Sequence, residues 1–139
     1  MHFRRSLVVL VVGGLLLAAS MNSVIAQKSE RIAKGLWGGP HISIEVGAES
    51  AKLEFDCAHG VIEGPLDVDS EGKFQLRGTF TPERGGPVRA DENQRALAAT
   101  YAGEIKGNTM TLKLKVSDED DTETFTLEKG KTGRLMKCK

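Results

Sequence analysis

Two histidines, two cysteines and a few carboxylates carry most of the reactive chemistry in this sequence. His41, Cys57 and His59 lie close together, with Asp56 between them and Glu83 downstream. Imidazole and thiolate suit zinc or copper, and Asp56 or Glu83 would complete such a set. The second cysteine, Cys138, opposes that reading. A disulfide between Cys57 and Cys138 removes the thiolate ligand and leaves two histidines with a carboxylate. Histidines in turns commonly cap backbone or carboxylate groups instead. No cofactor is expected beyond a metal at His41 and His59.

Glu83, Arg84 and Arg89 flank Gly85-Gly86-Pro87. A Gly-Gly turn exposes backbone N–H groups to an anion, and the arginines would add charge. The plainer reading is a surface ion pair that orders a long loop. With His41 and His59, these three are the candidate binding residues. Residues 118–121 are acidic but lack the spacing and closing glutamate of a calcium loop. There is no Gly-x-Ser-x-Gly, no His-Glu-x-x-His and no phosphate loop. The sequence leans away from an enzyme, and no catalytic residue is assigned.

Strands must position these groups. Apolar residues recur with period two along most of the chain. Ile42, Ile44 and Val46 form one set, and Ala51, Leu53, Phe55 and Cys57 another. Residues 61–68 read as a poorer strand, interrupted by Gly64-Pro65. Phe74, Leu76, Gly78 and Phe80 follow, then Leu97, Ala99, Tyr101 and Ile105. The alanines over 95–102 also allow a short helix. Met110, Leu112, Leu114 and Val116 are the clearest strand; Phe125 and Leu127 mark another, and 134–139 the last. About eight short strands predict an all-β fold, an antiparallel up-and-down barrel, with a β-sandwich as the alternative. With the first strand rising from Trp37, segments 38–41, 57–60, 81–95 and 117–121 gather at one end. Both cysteines fall there, with the eighth strand closing against the first. His41, His59, Glu83 and Arg89 are expected in one patch, with His59 and Glu83 as a pair.

The N-terminus has the pattern of a secretory signal. Arg4 and Arg5 precede an apolar run over 7–19, and Val24-Ile25-Ala26 offers a small-residue cleavage site. That run is too short for a membrane span, which needs roughly 20 residues. The expected organisation is a signal peptide over 1–26, a flexible tail over 27–34 and one domain over 35–139. Removing Arg4 and Arg5 from the 19 basic residues leaves 17 against 19 acidic ones, a formal charge of −2. Such a chain has no field to attract nucleic acid or an anionic membrane. A secreted or periplasmic location follows, and it favours a disulfide between the two cysteines.

Gly35-Leu36-Trp37 resembles the Gly-x-Trp that opens lipocalins, avidins and other calycin barrels. The resemblance implies that Arg134 packs across the Trp37 ring as a cation–π pair. A broader likeness is to small exported bacterial proteins of unassigned function. They share Gly-x-Trp-Gly-Gly-x-His-Ile, Glu-Phe-Asp-Cys-Ala-His-Gly, Gly-Gly-Pro-Val-Arg and a closing Lys-Cys, here at 35–42, 54–60, 85–89 and 137–138. It implies a shared fold and no chemistry.

Three functions compete. The first is a non-enzymatic binding or interaction domain whose partner is a small ligand or a protein. The second is a protease inhibitor of calycin-like type, acting through 27–34 or 83–89. The third is a small metal-binding protein or hydrolase centred on His41 and His59. A hollow barrel would favour a carrier; a solid one would suit an inhibitor.

Overall fold

Alternation of apolar and polar side chains becomes alternation of buried and exposed ones along strand after strand. The structure is a computed structural model and describes residues 28–87 and 95–139. Its strands are β1 (Glu30–Arg31), β2 (Gly35–Gly39), β3 (Ile42–Val46), β4 (Ser50–Phe55) and β5 (Ala58–Glu63). They continue with β6 (Asp67–Val68), β7 (Lys73–Pro82), β8 (Leu97–Lys106), β9 (Thr109–Val116) and β10 (Thr122–Lys129). Eight of them close an antiparallel barrel in the order β10-β2-β3-β4-β5-β7-β8-β9. The β-sandwich is thereby excluded, and the alanine-rich run is strand β8 rather than helix. Among the described residues no helix is long and apolar enough to cross a membrane.

The count of eight survives two compensating differences. What reads as one first strand is two, β2 and β3, folded about Pro40 and His41. His41 takes a φ of 68°, a left-handed conformation that costs a non-glycine residue about 1 kcal/mol. The expected last strand, 134–139, is not one. After β10 the chain leaves the barrel wall and doubles back over its outer face as a strap. Closure is made by β10 on β2, with Glu128 opposite Gly38 and Lys129 opposite Trp37. Gly38 faces outward beneath the strap, where any Cβ would collide with the backbone of Lys131, Thr132 and Gly133. Arg134 then runs parallel to Pro40: its N–H donates to Gly39 O at 3.1 Å, and its carbonyl accepts from His41 N–H at 2.9 Å.

Both mouths of the barrel are stopped. At the end holding the β2–β3 turn, Phe55 meets Phe80 and Phe125 with ring centroids 5.4 Å apart in each pair. These three rings come from β4, β7 and β10, which are not neighbours in the wall, so the cluster spans the lumen. At the other end β1 pairs with β6 as a two-stranded ribbon. It buries Leu66 and Val68 and brings Ile32 onto the core. Part of the segment expected as a loose tail is therefore paired, with Arg31 bonding Asp67 at 3.0 Å. Between the plugs, Trp37, Ile42, Ile44, Leu53, Ile62, Tyr101, Met110, Leu112 and Leu127 are all essentially inaccessible. Eight strands give a lumen that such side chains fill.

Candidate functional site

Counting strand directions from β2 puts four connections at the Phe55 end: Pro40-His41, Asp56-Cys57, the segment after β7, and 117–121. The strap arrives at the same end. Its Cys138 is bonded to Cys57, with Cα atoms 5.2 Å apart across 81 positions of sequence. The expected disulfide is present, and it joins the β4–β5 turn to the strap rather than to a last wall strand.

Around it lies a network of ion pairs and hydrogen bonds. On the outer face a cross-strand row runs Ser43, Glu54, His59, Thr81 through β3, β4, β5 and β7. His59 Nδ1 bonds Glu83 Oε1 at 2.9 Å, the pairing expected from the sequence. Lys137, from the strap, reaches Glu83 Oε2 at 2.9 Å and Glu54 Oε2 at 2.8 Å. It also donates to Ala58 O at 3.3 Å. His41 Nδ1 bonds Asp56 Oδ2 at 2.6 Å, and the other oxygen of Asp56 accepts from Met136 N–H at 2.8 Å. Glu83 is fixed at its root because its N–H donates to Cys57 O at 2.8 Å. Arg84 is exposed beside it, and Arg89 lies outside the described residues.

A carboxylate can only accept, so in each pair the imidazole Nδ1–H donates to the carboxylate oxygen. In each pair the imidazole Nε2 is the nitrogen that no carboxylate occupies, one metal ligand at most. The two pairs do not converge: among the described residues no three His, Cys, Asp or Glu side chains are placed to hold a metal. Cys57 is committed to the disulfide. Trp37 faces the core, whereas Arg134 lies on the strap and is exposed. The expected cation–π pair is thus replaced by backbone bonds between Arg134 and the β2–β3 turn.

The sequence marks the histidines and Glu83 as members of this network, but not Glu54, Lys137 or the Met136 amide. The signal available for the first two was adjacency: a Cys57–Cys138 bridge must carry Lys137 toward Glu54 and Ala58. Nothing in a sequence marks the Met136 N–H as the partner of Asp56.

The electrostatics tie the strap to the barrel. Asp56 is held below the usual carboxylate range, chiefly by the Met136 N–H, with His41 adding to it against partial desolvation. Glu83 is lowered chiefly by Lys137, with His59 adding to it, again against desolvation. For Lys137 burial works against the charge, but the bonds to Glu54 and Glu83 outweigh it and raise its pKa. A carboxylate lowered on folding stabilises the fold above its unfolded pKa, and that contribution is lost as pH falls through the folded value. Lys137 has the opposite sign: its contribution is full below the ordinary lysine pKa and is lost at higher pH. The urea midpoint should therefore be flat from neutrality to about pH 5 and fall below about pH 4. Asp56→Asn should blunt the acid fall; a variant profile that superimposes on the native one would disprove the role given to Asp56.

The fold and site define a class: a solid, one-disulfide, eight-stranded antiparallel barrel with an external strap locked to one end. Comparison with known protein families, curated proteins and solved structures finds no match to the chain. The disulfide is compatible with an extracellular or periplasmic setting.

Proposed function

We propose that this chain is an exported, non-enzymatic interaction domain that recognises a macromolecular partner through the outer surface of its disulfide end. One observation carries the reading: both mouths are plugged and the lumen is filled. A carrier of small apolar ligands needs an enclosed site that buries most of the ligand, whereas the clefts of about 500–610 Å³ among the described residues are open to solvent. Here Phe55, Phe80 and Phe125 close one entrance, and the β1–β6 ribbon closes the other. The disulfide end instead offers loops on a rigid wall, a common place for binding residues. Met136, 74% exposed, stands there beside the charged network as an apolar contact.

The protease-inhibitor reading is the specific form of this proposal favoured by one further feature. The segment after β7 leaves the wall with Glu83 pinned by Cys57, His59 and Lys137. Anchoring Glu83 lowers the ordering cost of binding at that residue, which favours a tight inhibitor.

Titration with palmitate and with an environment-sensitive dye should reveal no one-to-one apolar ligand. Stoichiometric, saturable binding of either would overturn the proposal in favour of a carrier. A panel of serine, cysteine and metallo-endopeptidases assayed with the purified protein would separate inhibitor from other interaction roles, since an inhibitor gives saturable one-to-one loss of activity. Mass spectrometry of the exported protein should find Gln27 at its N-terminus; intact Met1 in a membrane fraction would defeat the export reading.

A further inference from the structure

Barrel closure is incomplete along β10. Lys129 N–H points to the β9 side, where it donates to Asn108 O, in the turn before β9, at 2.8 Å. Backbone groups alternate sides along a strand, so those of Thr122, Thr124, Thr126 and Glu128 point the other way, toward β2. Glu128 is opposite Gly38. Continuing that register puts Pro40 opposite Thr126, and proline has no N–H to give. Beyond Pro40 the chain turns at His41 into β3, so among the described residues no strand pairs with Thr122 and Thr124 on that side. On the opposite edge both are paired, with Lys115 and Lys113 of β9.

A cleft of about 510 Å³ adjoins this open edge, lined by Gly39, Pro40, Thr126, Lys131, Thr132 and Arg134 among others. Lys131 is neutralised by Glu128. Arg134 has no ion-pair partner among the described residues, so the cleft carries one uncompensated cation. Strand edges with unmet N–H and C=O groups template the addition of another strand.

We propose that this seam is a strand-addition site: an extended segment of a partner protein pairs with the free edge of β10 at Thr122 and Thr124 and places an acidic side chain against Arg134. The inference rests on the interaction-domain reading and names the kind of partner. The occupant is extended because only a strand can satisfy donors and acceptors spaced along β10. It is acidic because the cleft's spare charge is a guanidinium, which binds carboxylate bidentately.

The test uses the disulfide-bonded protein, two synthetic peptides and backbone amide NMR. Both peptides alternate threonine and valine over six residues; one carries a central aspartate and the other a lysine. The aspartate peptide should shift the amides of Thr122, Thr124, Gly38, Gly39 and Arg134, and bind at least tenfold more tightly than the lysine peptide. Thr124→Pro removes one edge donor without touching the β9 ladder, since that N–H faces the seam. It should weaken binding at least tenfold, and Arg134→Glu should abolish the preference for aspartate while leaving the fold intact by its amide spectrum. Equal binding of both peptides, or shifts confined to other strands, would overturn the proposal. Concentration-dependent dimerisation lost in Thr124→Pro would also overturn it, because the edge would then be pairing with a second copy. A partner that binds Thr124→Pro and native protein equally would sink the seam while leaving the interaction-domain reading in place.

Discussion

Replacing both cysteines, Cys57→Ser with Cys138→Ser, should cost the folded state about 4 kcal/mol. The bridge spans 81 positions, and in the chain-entropy model a loop of that size restrains the unfolded ensemble by about 4.5 kcal/mol. Total stability of a small domain is about 5–15 kcal/mol, so the variant would sit near the margin of folding. Urea unfolding should show a lower midpoint and a larger m-value, because the unlinked denatured chain exposes more surface. The strap should also loosen before the barrel does. Arg134 and Met136 amides should exchange with solvent faster, while those of β9 keep their protection. A loss below about 1 kcal/mol would mean that the network of Asp56, Glu83 and Lys137 holds the strap without covalent help.

The second large effect sits inside the lumen. Tyr101 is inaccessible, and its Oη donates to Thr79 O at 2.6 Å. The ring lies over the glycine positions of β5 and β7. A Cβ at Gly60 would collide with the Tyr101 oxygen, and one at Gly78 with the ring and Val61 O. Nothing smaller fills that space, so Tyr101→Ala should cost about 4 kcal/mol, the range for removing a buried aromatic ring. Tyr101→Phe keeps the ring and loses one hydrogen bond, about 1 kcal/mol. Burial also pushes the phenol above its ordinary range, so the native protein should resist tyrosinate formation until it unfolds in alkali. Equal costs for the alanine and phenylalanine variants would show that the hydrogen bond, rather than packing, dominates.

How far the sequence could be read depends on which interaction set each feature. Period-two patterning made the barrel legible, because β3, β4 and β9 each bury alternate residues against one lumen. The disulfide followed from an even cysteine count in an exported chain together with strand direction, and the His59–Glu83 pair from strand direction. The strap did not. Leu135 and Met136 give residues 134–139 a strand-like look, yet their neighbours are the backbone of Gly39 and His41 and the side chain of Asp56. Main-chain donors and acceptors are the same for every residue type, so no residue choice announces them. Gly38 held the clue, but a glycine beside another glycine and a proline reads as a turn before it reads as a surface left bare for a second layer.

Ring closure also imposes an order in time. Every other wall contact joins strands that follow one another along the chain, apart from the short β6 excursion, so each hairpin can form soon after it is made. The contact of β2 with β10 cannot: Trp37 and Gly38 wait for Glu128 and Lys129, the most distant pairing in the wall. Loop closure over that span slows folding and leaves the β2 edge bare in the interval. The strap follows β10 in sequence and crosses that joint from outside, so it seats only after the ring has closed. Native pairing of Cys57 with Cys138 is then expected after ring closure, which trapping of free thiols during oxidative refolding would check.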